Sequence, residues 1–266
     1  MDLKASLCPQ TGDNMKITII GAGNVGATTA KCLAAYELAS QIILFDVMEG
    51  LPQGKALDLA QSLAAIGNDT VISGTNNYED TAHSDIVIIT AGVPRKPGMT
   101  REDLLNINAK IVGEIAEQSV RFSPQAIFLV VTNPLDVMTH LVWKRSGLPK
   151  SRVVGMAGAL DNARFRYFLA ERLGVTVSDV HSLILGSHGD TMVPVLSATT
   201  ISGAPVRSML KPEELSAIVE RARDGGAEIV KLIKTGSAYY APAEAIAKMV
   251  AAIVKDKNAT IACSAL

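Results

Sequence analysis

The stretch Lys16-Ile17-Thr18-Ile19-Ile20-Gly21-Ala22-Gly23-Asn24-Val25-Gly26 decides the fold. An apolar, largely β-branched run breaks into three glycines at G-x-G-x-x-G spacing, and residues 27–33 that follow read as helix. The expected unit is strand, tight turn, helix. The glycines serve separate physical ends. One permits the turn, one removes a side chain so that backbone can approach a pyrophosphate, and one lets helix pack close to strand. The unpaired N–H groups of the helix start then face the anion. A second apolar run, Gln41-Ile42-Ile43-Leu44-Phe45, ends in Asp46, 20 residues beyond Gly26. A carboxylate at that spacing accepts hydrogen bonds from both ribose hydroxyls of an adenosine and repels a 2′-phosphate, which selects NAD over NADP.

Working outward, the apolar pattern of residues 50–66 predicts a helix, and Val71-Ile72, Ile86-Val87-Ile88-Ile89, residues 126–131 and Val153-Val154 predict short strands. Their unbroken apolar character points to a parallel sheet covered on both faces. Residues 91–99, with Gly92, Pro94 and Pro97-Gly98, form a loop leaving a strand's carboxyl end, where open α/β sheets bind ligands. Thr100 and Asp103 make a capping box for a helix over 101–122. Thr132-Asn133-Pro134 stops the strand at 126–131, and a helix follows through Leu141.

The second half has a different texture. A helix is expected over 159–173, then two β-like runs, 180–185 and 192–201, flank Gly186-Ser187-His188-Gly189-Asp190. Ser202-Gly203 suits a hairpin turn. Pro212 opens a helix, residues 227–255 are mostly helical with a break at Gly236, and 259–265 reads as a strand. Strands grouped with helices rather than alternating with them indicate a smaller α+β domain. The expected fold class is therefore α/β, a doubly wound parallel sheet over 15–156 followed by an α+β domain over 157–266, with residues 1–14 a loose N-terminal extension.

Composition narrows the function classes. With 48% apolar and 19% charged residues in 266, the chain reads as soluble and globular, and with 4% aromatics its core must be mostly aliphatic. A formal net charge of −1 gives no general attraction for nucleic acid or an anionic membrane. Cys8, Cys32 and Cys263 are odd in number and scattered, without metal-ligand spacing, which argues against a disulfide framework or a metal site and for a reducing compartment, the cytoplasm by default. No run is long enough to span a bilayer, and residues 1–14 lack the apolar core of a signal peptide.

Four charged groups and one imidazole could carry chemistry. Asp161 and Arg164, three apart in a helical segment, share a face. His188 lies on a glycine-flanked turn, and a carboxylate bonded to one ring nitrogen would fix its tautomer. Arg95 and Arg101 sit on the loop after the fourth strand and at the helix start beyond it. Guanidinium groups hold carboxylates by two parallel hydrogen bonds, so three arginines near one histidine could manage a dianion.

In these residues the chain resembles the lactate/malate dehydrogenases, and within them the lactate-dehydrogenase-like malate dehydrogenases. The matching motifs run in order: the glycine turn 21–26, Leu44-Phe45-Asp46, residues 90–101, Val131-Thr132-Asn133-Pro134, Leu160-Asp161-Asn162-Ala163-Arg164, and His188 with Gly189-Asp190. The resemblance implies a Rossmann domain binding NAD through Gly21, Ala22, Gly23, Asn24, Val25, Gly26 and Asp46, with Asn108, Val131, Thr132 and Asn133 as further nucleotide contacts. It implies His188 as proton donor and acceptor, Asp161 as its orienting partner, and Arg164 as anchor of the carboxylate beside the reacting carbon. Arg101 would close with its loop and polarise the carbonyl, and Asn133 would donate a hydrogen bond to substrate. No metal is required, and a homo-oligomer, dimer or tetramer, is expected.

Arg95 stands where lactate dehydrogenases usually carry Gln, and Ala238 where they tend to carry Thr. Both differences favour a longer diacid. The resemblance thus implies reversible oxidation of (S)-malate to oxaloacetate, with an L-lactate or other 2-hydroxy-acid dehydrogenase as the near alternative. Family chains continue beyond the segment matching 259–265, so the second domain is expected to be incomplete relative to the family, which keeps open a weakly active or inactive NAD-binding module. The resemblance implies that a cation at position 95 pairs with the distal carboxylate of oxaloacetate, and polar recognition of this kind can discriminate by roughly 10⁴-fold or more. Arg95→Gln is expected to lower oxaloacetate turnover and raise relative pyruvate turnover in steady-state assays; an unchanged substrate ratio would remove Arg95 from the specificity role.

Overall fold

The strands that follow the glycine motif have almost no polar face. In the computed structural model, which describes residues 14–94, 100–189 and 191–266 and only the backbone of Arg101, β1 (Lys16–Ile20), β2 (Gln41–Phe45), β4 (Ile86–Ile89) and β5 (Ile127–Val130) are buried at nearly every position. Only β3 (Val71–Thr75) alternates exposed and buried residues, as an edge strand does. With β6 (Val153–Gly155) they form one parallel sheet in the order β3-β2-β1-β4-β5-β6. The order reverses between β1 and β4, which opens a crevice at the carboxyl ends of those two strands.

Register sets what lies along that crevice. Phe45 pairs with Ile20, Ile20 with Ile89, Ile89 with Val130, and Val130 with Gly155. The carboxyl ends are therefore level. The residues that follow each strand, Gly21, Asp46, Thr90, Val131 and Met156, rise from one edge.

Helices cover both faces. On one, α1 (Asn24–Ala35) and the late helix α7 (Tyr240–Val254) pack Leu33, Ile246, Met249 and Val250 against Ile17, Ile19, Leu44 and Ile88. On the other, α3 (Arg101–Phe122) and α4 (Leu135–Ser146) set Val112, Ile115, Met138 and Val142 against Val87, Ile89, Phe128 and Val130. Each aliphatic side chain buried in this way contributes about 1.5–3 kcal/mol. The helix α2 (Leu51–Ala64) connects β2 to β3 and begins with Gly50 and Pro52, a left-handed residue and a helix-start proline.

A separate cluster of Phe165, Leu169, Val180, Ile184, Ile201, Leu215 and Ile218 joins α5 (Gly158–Leu173) to α6 (Pro212–Ile233) and to short antiparallel pairs. The strands are β7 (Val180–His181), β8 (Ile184–Leu185), β9 (Val193–Pro194), β10 (Thr200–Ile201) and β11 (Ala204–Pro205). The chain is thus a doubly wound α/β sheet followed by a smaller unit of helices and antiparallel strand pairs, the α+β grouping that the patterning indicates.

Several expectations need correction. The runs at 180–185 and 192–201 are two-residue pairs, β7 with β10 and β8 with β9, because Pro194 has no N–H to extend a ladder and a 3₁₀ turn at Leu196–Ala198 interrupts the second run. The segment 259–265 is not a strand. Its backbone pairs with the sheet once, where Gly155 and Ser264 exchange N–H···O bonds of 2.8 and 2.9 Å, since the edge strand β6 is only three residues long. The helix opened by Pro212 runs through Gly225 and Gly226 to Ile233, and the break expected at Gly236 lies between it and α7. The expected extension at 1–14 falls, except for Asn14, outside the described residues.

The capping box is present: Thr100 Oγ1 accepts from the Asp103 amide at 3.0 Å and the Asp103 carboxylate accepts from the Thr100 amide at 3.0 Å. The hairpin turn is present as well, with Ser202 at φ 48° and Gly203 at φ 86° between β10 and β11. The glycine turn itself tolerates no side chain at two positions. Gly21 has φ 107° and a Cβ there would lie 2.7 Å from the Ala91 amide nitrogen, while a Cβ on Gly26 would lie 1.9 Å from the Gly21 carbonyl oxygen. Gly26→Ala is expected to destabilise the protein by about 3 kcal/mol through this overpacking, seen as a lower denaturant midpoint at constant slope; a wild-type midpoint would contradict the tight turn.

Candidate active site

The crevice at the switch point opens into a cavity of about 490 Å³ whose walls include Gly23, Asn24, Asn133, Arg164, His188 and Ala238. That volume suits a small-molecule site. One wall is the glycine turn. No atom lies within 4 Å of a Cβ built on Gly23, the start of α1 has no side-chain cap, and its first turn carries no acidic residue. Backbone N–H groups at the helix start are therefore open to an anion approaching over Gly23.

Asp46 lies behind this turn. Its Oδ2 accepts from the Ala22 amide at 2.8 Å and its Oδ1 from the Met48 amide at 3.0 Å. Each oxygen keeps a lone pair, so the carboxylate can accept from a ribose while holding the turn in place. Thr90 Oγ1 adds a 3.0 Å bond to the Gly21 carbonyl. These residues fit a dinucleotide.

Asn108 is 1% exposed. Its Oδ1 accepts from the Val93 amide at 2.9 Å, and its Nδ2 donates to the Val93 carbonyl at 3.3 Å and the Asn133 carbonyl at 2.7 Å. The side chain ties the loop after β4 to the loop after β5. Thr132 reinforces the tie, its Oγ1 donating to the Ala91 carbonyl at 2.7 Å. The Asn133-Pro134 peptide is cis, and Asn133 is exposed toward the cavity it lines.

The opposite wall carries the titratable groups. His188 Nδ1 lies 2.9 Å from Asp161 Oδ2, with the histidine side chain 22% exposed and the aspartate 4%. An ionised carboxylate only accepts, so this bond puts the ring proton on Nδ1 and leaves Nε2 free. The Arg164 guanidinium is 4.0 Å from the other Asp161 oxygen. Burial lowers the Arg164 pKa from its ordinary value and Asp161 partly opposes this, but a guanidinium stays charged in proteins. Arg164 Nε is buried without a hydrogen-bond partner among the described residues.

Two features of the site are not assigned from the sequence: the contacts of Asn162, although it lies within a matching motif, and a pair of glycines on α6. Asn162 bonds Ser182 in both directions, accepting from its hydroxyl at 2.6 Å and donating to its carbonyl at 3.0 Å, which fixes α5 against the segment leading to His188. Gly225 and Gly226 lie against Arg164, and adjacent glycines inside a helical pattern are the signal that could have found them. The turn carrying His188 depends on Gly186, at φ 82°, where a Cβ would meet the Thr191 carbonyl at 2.4 Å. Arg95, Asp190 and the side chain of Arg101 lie outside the described residues.

Among the described residues no helix is long and apolar enough to cross a membrane. The chain belongs to the lactate/malate dehydrogenase family: the model of its NAD binding domain matches residues 15–155 and that of its alpha/beta C-terminal domain matches residues 158–266. It is 52% identical to a malate dehydrogenase of Pelodictyon phaeoclathratiforme over 95% of its own length and 81% of that relative. It is 54% identical to a malate dehydrogenase of Chloroherpeton thalassium over 94% and 81%. Among solved structures it resembles malate dehydrogenase from Salinibacter ruber, with TM-score 0.90, 49% identity, and 94% and 80% of the two chains covered. It also resembles Cryptosporidium parvum lactate dehydrogenase complexed with lactic acid and cofactor, with TM-score 0.91, 43% identity, and 95% and 81% covered. The family and its NAD-binding domain define an NAD-dependent oxidoreductase.

Asn108→Ala would leave the Val93 amide and two carbonyls without these part-buried bonds. A stability loss of about 2–3 kcal/mol is expected, together with weaker NADH binding in a fluorescence titration; unchanged stability and affinity would show that the two loops hold their places without the clamp.

Proposed function

We propose that this chain is a malate dehydrogenase, oxidising (S)-malate to oxaloacetate with NAD and running the reverse reaction with NADH. The single observation that carries the reading is the His188–Asp161 bond of 2.9 Å beside the buried Arg164, in one cavity with the glycine turn. That cavity can take a carboxylate on Arg164 while a hydroxyl meets His188, and its glycine-turn wall would hold the nucleotide.

In this reading NAD, when bound, supplies the acceptor for the hydride that leaves the alcohol carbon. Gly21, Ala22, Gly23, Asn24, Val25 and Gly26 would receive its pyrophosphate and Asp46 its adenosine ribose, and Val131, Thr132 and Asn133 would be further nucleotide contacts. Asn108 sets the loops around it. The protein's own part in the chemistry is proton management and charge placement. His188 Nε2 takes the hydroxyl proton as malate is oxidised and returns it to the carbonyl oxygen in reduction, while Asp161 holds the ring and stabilises its cationic form. Arg164 anchors the carboxylate beside the reacting carbon by two parallel bonds, and Asn133 donates to the substrate. Arg101 closes with its loop to polarise the carbonyl, and Arg95 pairs with the distal carboxylate.

Family resemblance supports a homo-oligomer, dimer or tetramer, and a division of the chain into domains near residue 156. The free thiols of Cys32 and Cys263 support a reducing, cytoplasmic setting. Following NADH absorbance with oxaloacetate and then pyruvate tests the reading. Consumption with oxaloacetate, at least about 10³-fold preferred in kcat/KM, is expected. A pyruvate preference would favour a lactate dehydrogenase, and NADH binding without turnover of either acid would favour a binding module.

A further inference from the structure

Arg164 has an unusual seat. Its Nε is buried with no hydrogen-bond partner among the described residues, and the Asp161 carboxylate is 4.0 Å from Nη1, beyond hydrogen-bond reach. Something other than hydrogen bonding must hold a side chain with so many rotamers. Across from it runs α6, whose interior holds Gly225 and Gly226 side by side. Glycine inside a helix is unfavourable relative to alanine, so two in succession call for a local reason.

The reason is the length of the arginine. A Cβ on Gly225 would lie 3.0 Å from Arg164 Cδ, 3.4 Å from Nε and 3.7 Å from Cγ, and a Cβ on Gly226 would lie 3.4 Å from Nη2 and 3.7 Å from Nη1. The first glycine thus lies along the stem and the second along the guanidinium, so bare helix backbone forms a shallow trough for the whole side chain. Gly226 also borders the cavity, whereas Gly225 is buried behind the arginine.

We infer that Gly225 and Gly226 are positioning residues for the substrate carboxylate, setting by backbone contact the depth at which Arg164 presents its guanidinium. The inference rests on the role given to Arg164 above. With Nε left unpaired and the stem held by packing, the Nη donors remain available to a ligand. A methyl group at 225 pushes the stem by a few tenths of an ångström, displaces the guanidinium relative to His188 Nε2, and spoils the alignment of the 2-oxo acid. Position 226, where the added carbon meets the guanidinium at an ordinary contact distance, has the smaller effect.

Kinetics of the wild type, Gly225→Ala, Gly226→Ala, Arg164→Lys and the Gly225→Ala/Arg164→Lys pair test this, together with crystal structures of wild type and Gly225→Ala. In Gly225→Ala, kcat/KM for the 2-oxo acid is expected to fall about tenfold, mostly through KM, with a smaller fall in Gly226→Ala. The NADH dissociation constant and Tm should not worsen, and the arginine should be visibly displaced. Because Gly225 acts through Arg164, its substitution should cost little more in the Arg164→Lys background. A guanidinium that stays in place, losses that simply multiply in the double variant, or a Tm that falls in step with activity would each overturn the inference. If the wild type prefers pyruvate, the malate assignment fails, yet this test runs unchanged with pyruvate, which carries the same carboxylate beside its carbonyl. If neither acid is turned over, the crystal comparison alone decides.

Discussion

A carboxylate that is 3% exposed must be compensated, and the compensation of Asp161 organises the second half of this chain. Leaving an ionised group unpaired in the interior is costly enough that the surrounding structure arranges itself to avoid it. Here His188 arrives from the turn between β8 and β9 to bond one oxygen, and Arg164 lies one helical turn away near the other. Asn162, on the same helix, grips Ser182 upstream of that turn. The segment from Ser182 to His188 is thus held against α5 by polar contacts at both ends, and the imidazole is aimed as a result.

The first half meets this cluster through apolar packing. The start of α5 contributes Ala159 and Leu160 to the core that includes Ile17, Ile88 and Met156, and α7 packs into the same core from near the end of the sequence. The carboxylate-bearing helix therefore grows directly out of the sheet's carboxyl edge, just past Gly155. The glycine turn, the Asn133 loop and His188 face one cavity because the aliphatic core fixes the sheet and α5 together. Rigid elements carrying short loops are the arrangement that holds polar groups to within a fraction of an ångström.

Much of this is legible in the residues alone, and the reason differs from element to element. The central strands are short, wholly apolar and bounded by turn residues, so their pattern has one physical solution, a sheet buried on both faces. The start of α3 can be read from Thr100 and Asp103 because a capping box is a local bond between residues three apart. The motifs bearing Asp161, Arg164 and His188 stand out by residue type and spacing. What escapes such a reading is decided by distant partners. The stretch at 259–265 has strand-like composition, but ladder length depends on the neighbour, and β6 offers only three residues. Residues 192–201 are β-like in composition while Pro194 and a 3₁₀ turn divide them. Asn108 reads as a nucleotide contact, yet its three bonds go to Val93 and Asn133, loops that a linear pattern does not bring together.

The two bonds made by Asp46 have a consequence for redesign. Because one of its oxygens anchors the Ala22 amide and the other the Met48 amide, this side chain braces the glycine turn, and in the proposed reading it would discriminate between sugars as well. Exchanging it for a neutral residue to admit a phosphorylated ribose removes the brace at the same stroke. Conversion of coenzyme preference in this scaffold would therefore require a substitute acceptor for those two backbone donors, introduced alongside any new cation.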